Sequence, residues 1–282
     1  MVAFAPGLLA GRRALVTGGG TGLGRSIGKR FLELGASLAI CGRRAEVLEA
    51  AAGMFRAGVP GAQVTTHVCD IRDSAAVEAT LDDVWRYGPA DILVNNAAAN
   101  FLAQTHRLSS RAVDAVLGTT LHGAAYCTIG CGRRWIDAGQ PGVVLSILTL
   151  SALQGGAFTT PSAMAKAGLL AMTQSLAVEW GPHGIRLVAI APGTFPTEAA
   201  VARLRPGGIE HGGVPLRRAG RHEELADLAA FLVSDHAGYI TGECVVADGG
   251  RRLLGGARAG AQEMLDWTDE QWAAQRARTP SR

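Results

Sequence analysis

Short apolar runs alternate with longer stretches of helical periodicity along most of the chain. The first run, Ala-Leu-Val at 14–16, leads straight into the glycines of ALVTGGGTGLG at 14–24. An uninterrupted apolar run of this kind reads as a strand buried on both faces. Beyond the glycines, Leu23, Ile27, Phe31 and Leu34 recur at helical spacing, which predicts an amphipathic helix. The same reading places strands at 37–41, 64–68, 91–94, 143–148, 185–190 and 244–247. Helices are expected at about 45–55, 74–85, 109–135, 162–180 (opened by Pro161) and 223–233. Alternation at this spacing predicts an α/β protein, a doubly wound parallel sheet of about seven strands with helices on both faces.

Composition narrows the class. The chain has 282 residues, 48% of them hydrophobic, and no Pro/Ser linker or shift in composition divides it. Residues 1–282 therefore read as one domain, with 1–12 as a lead-in and 251–282 as a tail. A formal charge of +3 is too small to argue for nucleic acid, and the pairs Arg133-Arg134, Arg217-Arg218 and Arg251-Arg252 are scattered like solvated faces. No apolar run approaches the length needed to span a membrane. The opening MVAFAPGLLAGRR lacks a basic n-region, so no signal peptide is expected.

Cys41, Cys69, Cys127, Cys131 and Cys244 are odd in number and mostly sit inside apolar runs, as reduced buried thiols do. Cys127 and Cys131, one helical turn apart, could share a metal, but no His or carboxylate stands at ligand spacing beside them. The expectation is a cytoplasmic protein with no metal, nucleic-acid or membrane partner.

Candidate chemistry gathers where strands end. A glycine turn between strand and helix aims free backbone N–H groups and a helix N-terminus at a phosphate. At Gly18, Gly22 and Gly24 a side chain would keep backbone from a pyrophosphate; Gly20, Thr21 and Leu23 complete the turn. Tight-turn glycines without a ligand are the alternative. After the second strand come Arg43 and Arg44 and no acid. An acid there would bond a ribose 2′-OH, whereas arginines accommodate a 2′-phosphate, so NADPH is favoured. The alternative is a solvated helix start.

Asp70, beside Ile71, follows the third strand and suits an adenine amine or a turn cap. Asn96, Ala97 and Ala98 are small enough after the fourth strand for backbone to lie close to a cofactor. Thr149–Ser151 and Pro192–Phe195 end the fifth and sixth strands. All these groups fall at carboxyl ends, where the ligand crevice of a Rossmann-type sheet lies.

These residues resemble the short-chain dehydrogenase/reductase family. Thr17-Gly18-x-x-x-Gly22-x-Gly24, Asn95-Asn96-Ala97-Ala98, the lysine one turn into the helix at 162–180, Ala191-Pro192-Gly193 and Ala247-Asp248-Gly249-Gly250 match it in order. Within the family the chain is similar to NADP-dependent 2,4-dienoyl-CoA reductases of fatty acid metabolism. The matching stretches are NNAAANF at 95–101, PSAMAKAG at 161–168, SLAVEWG at 175–181, LADLAAFL at 225–232 and WTDEQW at 267–272.

The resemblance implies that Lys166 binds the nicotinamide ribose and that Asn100 donates to the substrate thioester oxygen. It further implies that Phe101, Ser109 and Arg203 contact the acyl-CoA, and that Pro192, Gly193, Thr194 and Phe195 hold cofactor. A homo-oligomer, dimer or tetramer, packed through the helices at 109–135 and 162–180 is also implied. Asn100 as a loop-fastening amide and Lys166 as a solvated helix lysine are the bland alternatives.

The departures bear on mechanism. Carbonyl-reducing members carry Tyr-x-x-x-Lys, but the tyrosine position is Ser162 here, one turn before Lys166. Their serine and asparagine partners fall on Thr149 and Thr120. Mitochondrial-type dienoyl reductases have a tyrosine at the position of Ser151, and peroxisomal-type ones an aspartate at that of Thr120. Tyr87, Tyr126 and Tyr239 match none of these sites.

Ketone reduction creates an alkoxide that needs a proton at once, so the loss is severe there. Reduction of a dienoyl thioester spreads charge onto the thioester oxygen, and donors to that oxyanion matter most. Asn100, backed by Ser151 or by a water held by Ser162 and Lys166, could suffice. The expected activity is NADPH-dependent reduction of a 2,4-dienoyl-CoA or related unsaturated acyl thioester. The alternatives are a carbonyl reductase working through Ser162, Lys166 and water, and a non-catalytic NADP-binding subunit.

Overall fold

The computed structural model describes residues 4–198, 201, 213–255 and 261–277. Seven strands among them form one sheet: β1 Arg13–Thr17, β2 Ser37–Gly42, β3 Val64–Val68, β4 Ile92–Asn95, β5 Gly142–Ile147, β6 Ile185–Pro192 and β7 Cys244–Ala247. Their order is β3-β2-β1-β4-β5-β6-β7, and every neighbouring pair is parallel. The order reverses between β1 and β4, which opens a ligand crevice beyond their carboxyl ends.

Helices cover both faces because strand side chains alternate. Val16, Val94, Leu145 and Val188 pack with Ile27 and Phe31 of α1 (Gly22–Glu33), Phe55 of α2 (Ala45–Gly58) and Leu225 of a helix at His222–Val233. Leu15, Leu93, Val144 and Leu187 face the other way, onto Val77 and Leu81 of α3 (Ser74–Arg86) and onto Cys127 and Trp135 further along. Full burial of side chains this size contributes about 1.5–3 kcal/mol each.

The stretch expected as one long helix at 109–135 is broken. It runs as α4 (Ser110–Leu117), a π-helical turn at Gly118–His122, and α5 (Gly123–Asp137). The wider turn lies where fully buried Thr120 meets the loop after β4. Such turns are uncommon and collect at functional sites. A short helix, α6 (Ser151–Gln154), follows β5, and α7 runs over Thr160–Glu179. The helix at His222–Val233 is α8.

Cys41, Cys69, Cys127 and Cys131 are buried free thiols, and burial pushes each of them up. Among the described residues no group of three or more His, Cys, Asp or Glu can hold a metal, and no helix is long and apolar enough to cross a membrane.

Candidate active site

The crevice begins at the turn after β1. Gly18 has φ 64, and its N–H donates to the Cys41 carbonyl at 2.8 Å. A bulkier residue strains that left-handed backbone. Gly24 is required for a different reason: a Cβ there would lie 2.4 Å from Asn96 Nδ2 and 2.7 Å from the Gly18 oxygen.

Asn96 occupies that space to fasten the turn, with Nδ2 donating to the carbonyls of Thr17 at 2.9 Å and Gly18 at 3.3 Å. The buried Thr17 hydroxyl accepts from the N–H groups of Asn96 and Ala97, both at 3.0 Å, and donates to the Val94 carbonyl at 3.2 Å. Asn96 therefore holds the backbone of the glycine turn in place. Thr17 was visible in the motif, but its bridging role was not.

At the start of α1, Thr21 is the N-cap and its side chain makes no capping bond; the first turn carries no acid. The first-turn N–H groups around Gly22 and Leu23 therefore keep their capacity for an anion, and the helix dipole favours one. Gly20 lies against Val47 of α2 and Gly22 against Thr197 of the loop after β6.

Arg43 and Arg44 are exposed just past β2, and no ion pair engages either among the described residues. Asp70 is gripped by Arg72, whose Nε lies 2.9 and 3.0 Å from its oxygens and whose backbone N–H donates at 3.1 Å. These bonds, aided by the nearby charge of Arg43, hold the Asp70 carboxyl below its usual range. Sequence reading missed Arg72, although an arginine two residues past an acid was there to be read. Ile71 is buried between them.

On the far side, Gly193 N–H donates to the Ala247 carbonyl at 2.8 Å, directly after buried Pro192. The Thr194 hydroxyl accepts from Arg251 at 3.1 Å, and Phe195 packs closely over Gly220. His222, also missed, ties this loop to the first turn of α1. Its Nε2 donates to the Pro196 carbonyl at 2.7 Å, and its Nδ1 lies 3.0 Å from Ser26 Oγ.

The remaining candidates meet where β5 ends beside α7. Lys166 is 3% exposed, and its Nζ donates to the Ile147 carbonyl at the end of β5. Burial lowers this ammonium from 10.5 to about 8. Ser162 is buried one turn earlier on the same helix. Thr149 Oγ1 and Ser151 Oγ share a hydrogen bond of 2.5 Å, so one hydroxyl spends its proton on the other and the second keeps its own.

Three ties hold the loop after β4 across this mouth. Thr120 Oγ1 accepts from Ala99 N–H at 3.0 Å and donates to Ala99 O at 3.4 Å. Ala103 N–H donates to the Phe158 carbonyl, and Thr105 and Thr160 hydroxyls bond each other, both at 2.9 Å. Thr120, which resemblance aligned with a catalytic residue, is thus a fastener of Ala99 and hence of its neighbour Asn100.

Asn100 is half-buried in this loop, between exposed Ala98 and half-buried Phe101. Its Oδ1 accepts from Phe101 N–H at 2.9 Å. A backbone N–H can only donate, so the atom facing it is the oxygen, and the two Nδ2 hydrogens have no partner among the described residues. Ser109 caps α4 instead, accepting from Ala112 N–H at 3.2 Å. Arg203 lies outside the described residues. Tyr87 stacks on Arg13, Tyr126 lies beside His122 and Tyr239 is fully exposed, so none joins Lys166.

A parallel doubly wound sheet with a glycine turn, a buried lysine and an asparagine loop at its carboxyl edge defines a nicotinamide-dependent oxidoreductase. The family model described as enoyl-(acyl carrier protein) reductase matches residues 18–252, and the chain belongs to the short-chain dehydrogenase/reductase family. It is 43% identical to an uncharacterized oxidoreductase of Caenorhabditis elegans, over 96% of this chain and 89% of that one. It is 39% identical to a probable 2,4-dienoyl-CoA reductase, (2E)-enoyl-CoA-producing, of Bacillus subtilis, over 86% and 97% of the two chains. A crystal structure of a short-chain dehydrogenase from Bacillus anthracis superposes with a TM-score of 0.77 at 38% identity, over 85% of this chain and 96% of that one.

Proposed function

We propose that the protein is an NADPH-dependent reductase of 2,4-dienoyl-CoA or closely related unsaturated acyl thioesters. The observation that carries this reading is Asn100, whose amide hydrogens have no partner among the described residues, in a loop that Ala103 and Thr105 tie to Phe158 and Thr160 at the start of α7. The likeness to the Bacillus subtilis relative supports it, as do Arg43 and Arg44, which are exposed and engaged by no ion pair among the described residues.

NADPH, when bound, supplies the hydride. The α1 N-terminus would hold its pyrophosphate, Arg43 and Arg44 its 2′-phosphate, and Lys166 its nicotinamide ribose, exchanging the Ile147 carbonyl for hydroxyl acceptors. Hydride addition at the far end of the diene leaves a dienolate whose charge reaches the thioester oxygen. Asn100 Nδ2 donates to that oxygen, and whichever of Thr149 and Ser151 keeps its hydroxyl proton adds a second bond. No phenol is required, since the proton that completes the reaction goes to carbon and can come from water. Carbonyl reduction, which must protonate an alkoxide as it forms, fits this donor set less well.

The outward faces of α7 and α5 carry Met164, Ala167, Ala171, Val178 and Ile129, which supports a homo-oligomer packed through these helices. The buried free thiols suit a reducing compartment, as in the cytoplasm.

The test is incubation with NADPH and a panel of 2,4-dienoyl-, enoyl- and 3-oxoacyl-CoA thioesters, with products identified by mass spectrometry. Dienoyl-CoA should be consumed fastest. Faster turnover of 3-oxoacyl-CoA transfers the assignment to carbonyl reduction, and saturable NADPH binding without turnover makes the chain a binding subunit.

A further inference from the structure

Phe158 bears two costs at one position. Its backbone is left-handed, with φ 62, and its ring is 61% exposed. A bulky residue in that conformation is an outlier, and such strain gathers where a site needs it. Glycine would adopt the same φ without strain, and glycines stand at 155 and 156 close by, so the ring itself is what this position retains.

The Phe158 backbone is tied to the loop that carries Asn100. The Phe158 carbonyl accepts from Ala103 N–H at 2.9 Å, which ties it to the chain three residues past Asn100. Buried Ser162 lies four residues downstream, at the start of α7. Leu102, 45% exposed, adjoins that tie, and Leu153, 38% exposed, lies on α6 close to Ser151. An apolar rim beside a polar site needs an apolar ligand to cover it.

We propose that the Phe158 ring is the platform on which the acyl chain lies once Asn100 has engaged the thioester oxygen, so that Phe158 sets the preference for chain length. This rests on the thioester reading above. A fully buried methylene is worth about fourfold in affinity, and one laid on an open ring about twofold.

The test compares wild type with Phe158→Gly, each with NADP⁺ present. Binding of butanoyl-CoA and decanoyl-CoA is measured by calorimetry, and turnover with six- and ten-carbon 2,4-dienoyl-CoA is followed alongside. Wild type should bind decanoyl-CoA at least tenfold tighter than butanoyl-CoA. In the variant that ratio should shrink by about tenfold, while butanoyl-CoA affinity and melting temperature hold or rise. Phe158→Asn, another residue that tolerates the left-handed region, should repeat the result.

An unchanged ratio, or a wild type indifferent to length, overturns the proposal. An unchanged ratio with a lower sedimentation mass overturns it too and assigns the ring to a contact between copies of the chain. Length-dependent binding through Phe158 without dienoyl turnover upholds the platform and rejects the dienoyl reaction.

Discussion

Asn96 and Asn100 lie four residues apart in one loop and are spent in different ways. Asn96 gives its amide hydrogens to the carbonyls of Thr17 and Gly18, and the glycine turn around it is packed so tightly that Gly24 has no room for a methyl group. Asn100 bonds its own neighbour through oxygen and leaves its hydrogens unspent. The same division separates the regions they serve. The glycine turn uses its polar side chains to hold backbone in place, as the proposed cofactor site requires, because backbone N–H groups are what meet a phosphate. The mouth between the β4 loop and α7 is tied at Ala99, Ala103 and Thr105, and these ties leave the Asn100 amide hydrogens without a partner among the described residues, as a proposed donor to a substrate oxygen requires.

The sharpest way to break this contrast is to remove each amide. Asn100→Ala should lower kcat by about 10²–10³, the usual cost of an oxyanion donor, with melting temperature and NADPH affinity near wild type. Earlier unfolding with the rate retained would class Asn100 with Asn96.

Gly24→Ala attacks the other side. Its Cβ would meet Asn96, and such overpacking costs about 1–3 kcal/mol, read as a lower melting temperature together with NADPH binding weakened by up to about a hundredfold. An unmoved melting temperature would show the turn to be loose.

A smaller effect is expected at its rim, where Arg43 and Arg44 are exposed and solvent screens them. Replacing both with Ala should cut the preference for NADPH over NADH by about tenfold, measured as a ratio of dissociation constants. Equal losses for both dinucleotides would remove the arginines from 2′-phosphate recognition.

The mildest test is pH. Burial brings Lys166 to about 8, so kcat/KM should be half-maximal near there and fall as pH rises further. Stability should move the other way. Between about 8 and 10.5 the unfolded chain holds the lysine proton and the folded chain does not, so folding gains as pH climbs. Lys166→Met should abolish this component in a comparison of melting temperature against pH.

Much of the fold was legible before any coordinates. Short apolar runs set between helical repeats gave all seven strands to within a residue or two of their ends, because parallel strands buried on both faces are apolar throughout. Of the features that escaped, two lie beside the site. The π turn inside 109–135 carries no local signal, since it reflects the tertiary meeting of Thr120 with Ala99. The four-residue helix α6 is too short to show periodicity. In the site, the glycines, Arg43, Arg44, Asn100 and Lys166 stood out by position in a motif. His222 and Phe158 did not, because their importance lies in partners far along the chain or in a backbone angle, and Arg72 beside Asp70 was overlooked.

Residue order alone determined which strands exist, which way the helices face and where the crevice opens, since these follow from short-range periodicity and the handedness of parallel crossovers. Whether a given polar side chain holds the scaffold or waits for a ligand was decided only in three dimensions. A hydrogen-bonding group in sequence is merely a capacity. Asn96, Thr120 and Asp70 have theirs consumed by Gly18, Ala99 and Arg72, and Asn100 keeps its donors because the folded loop satisfies only its oxygen.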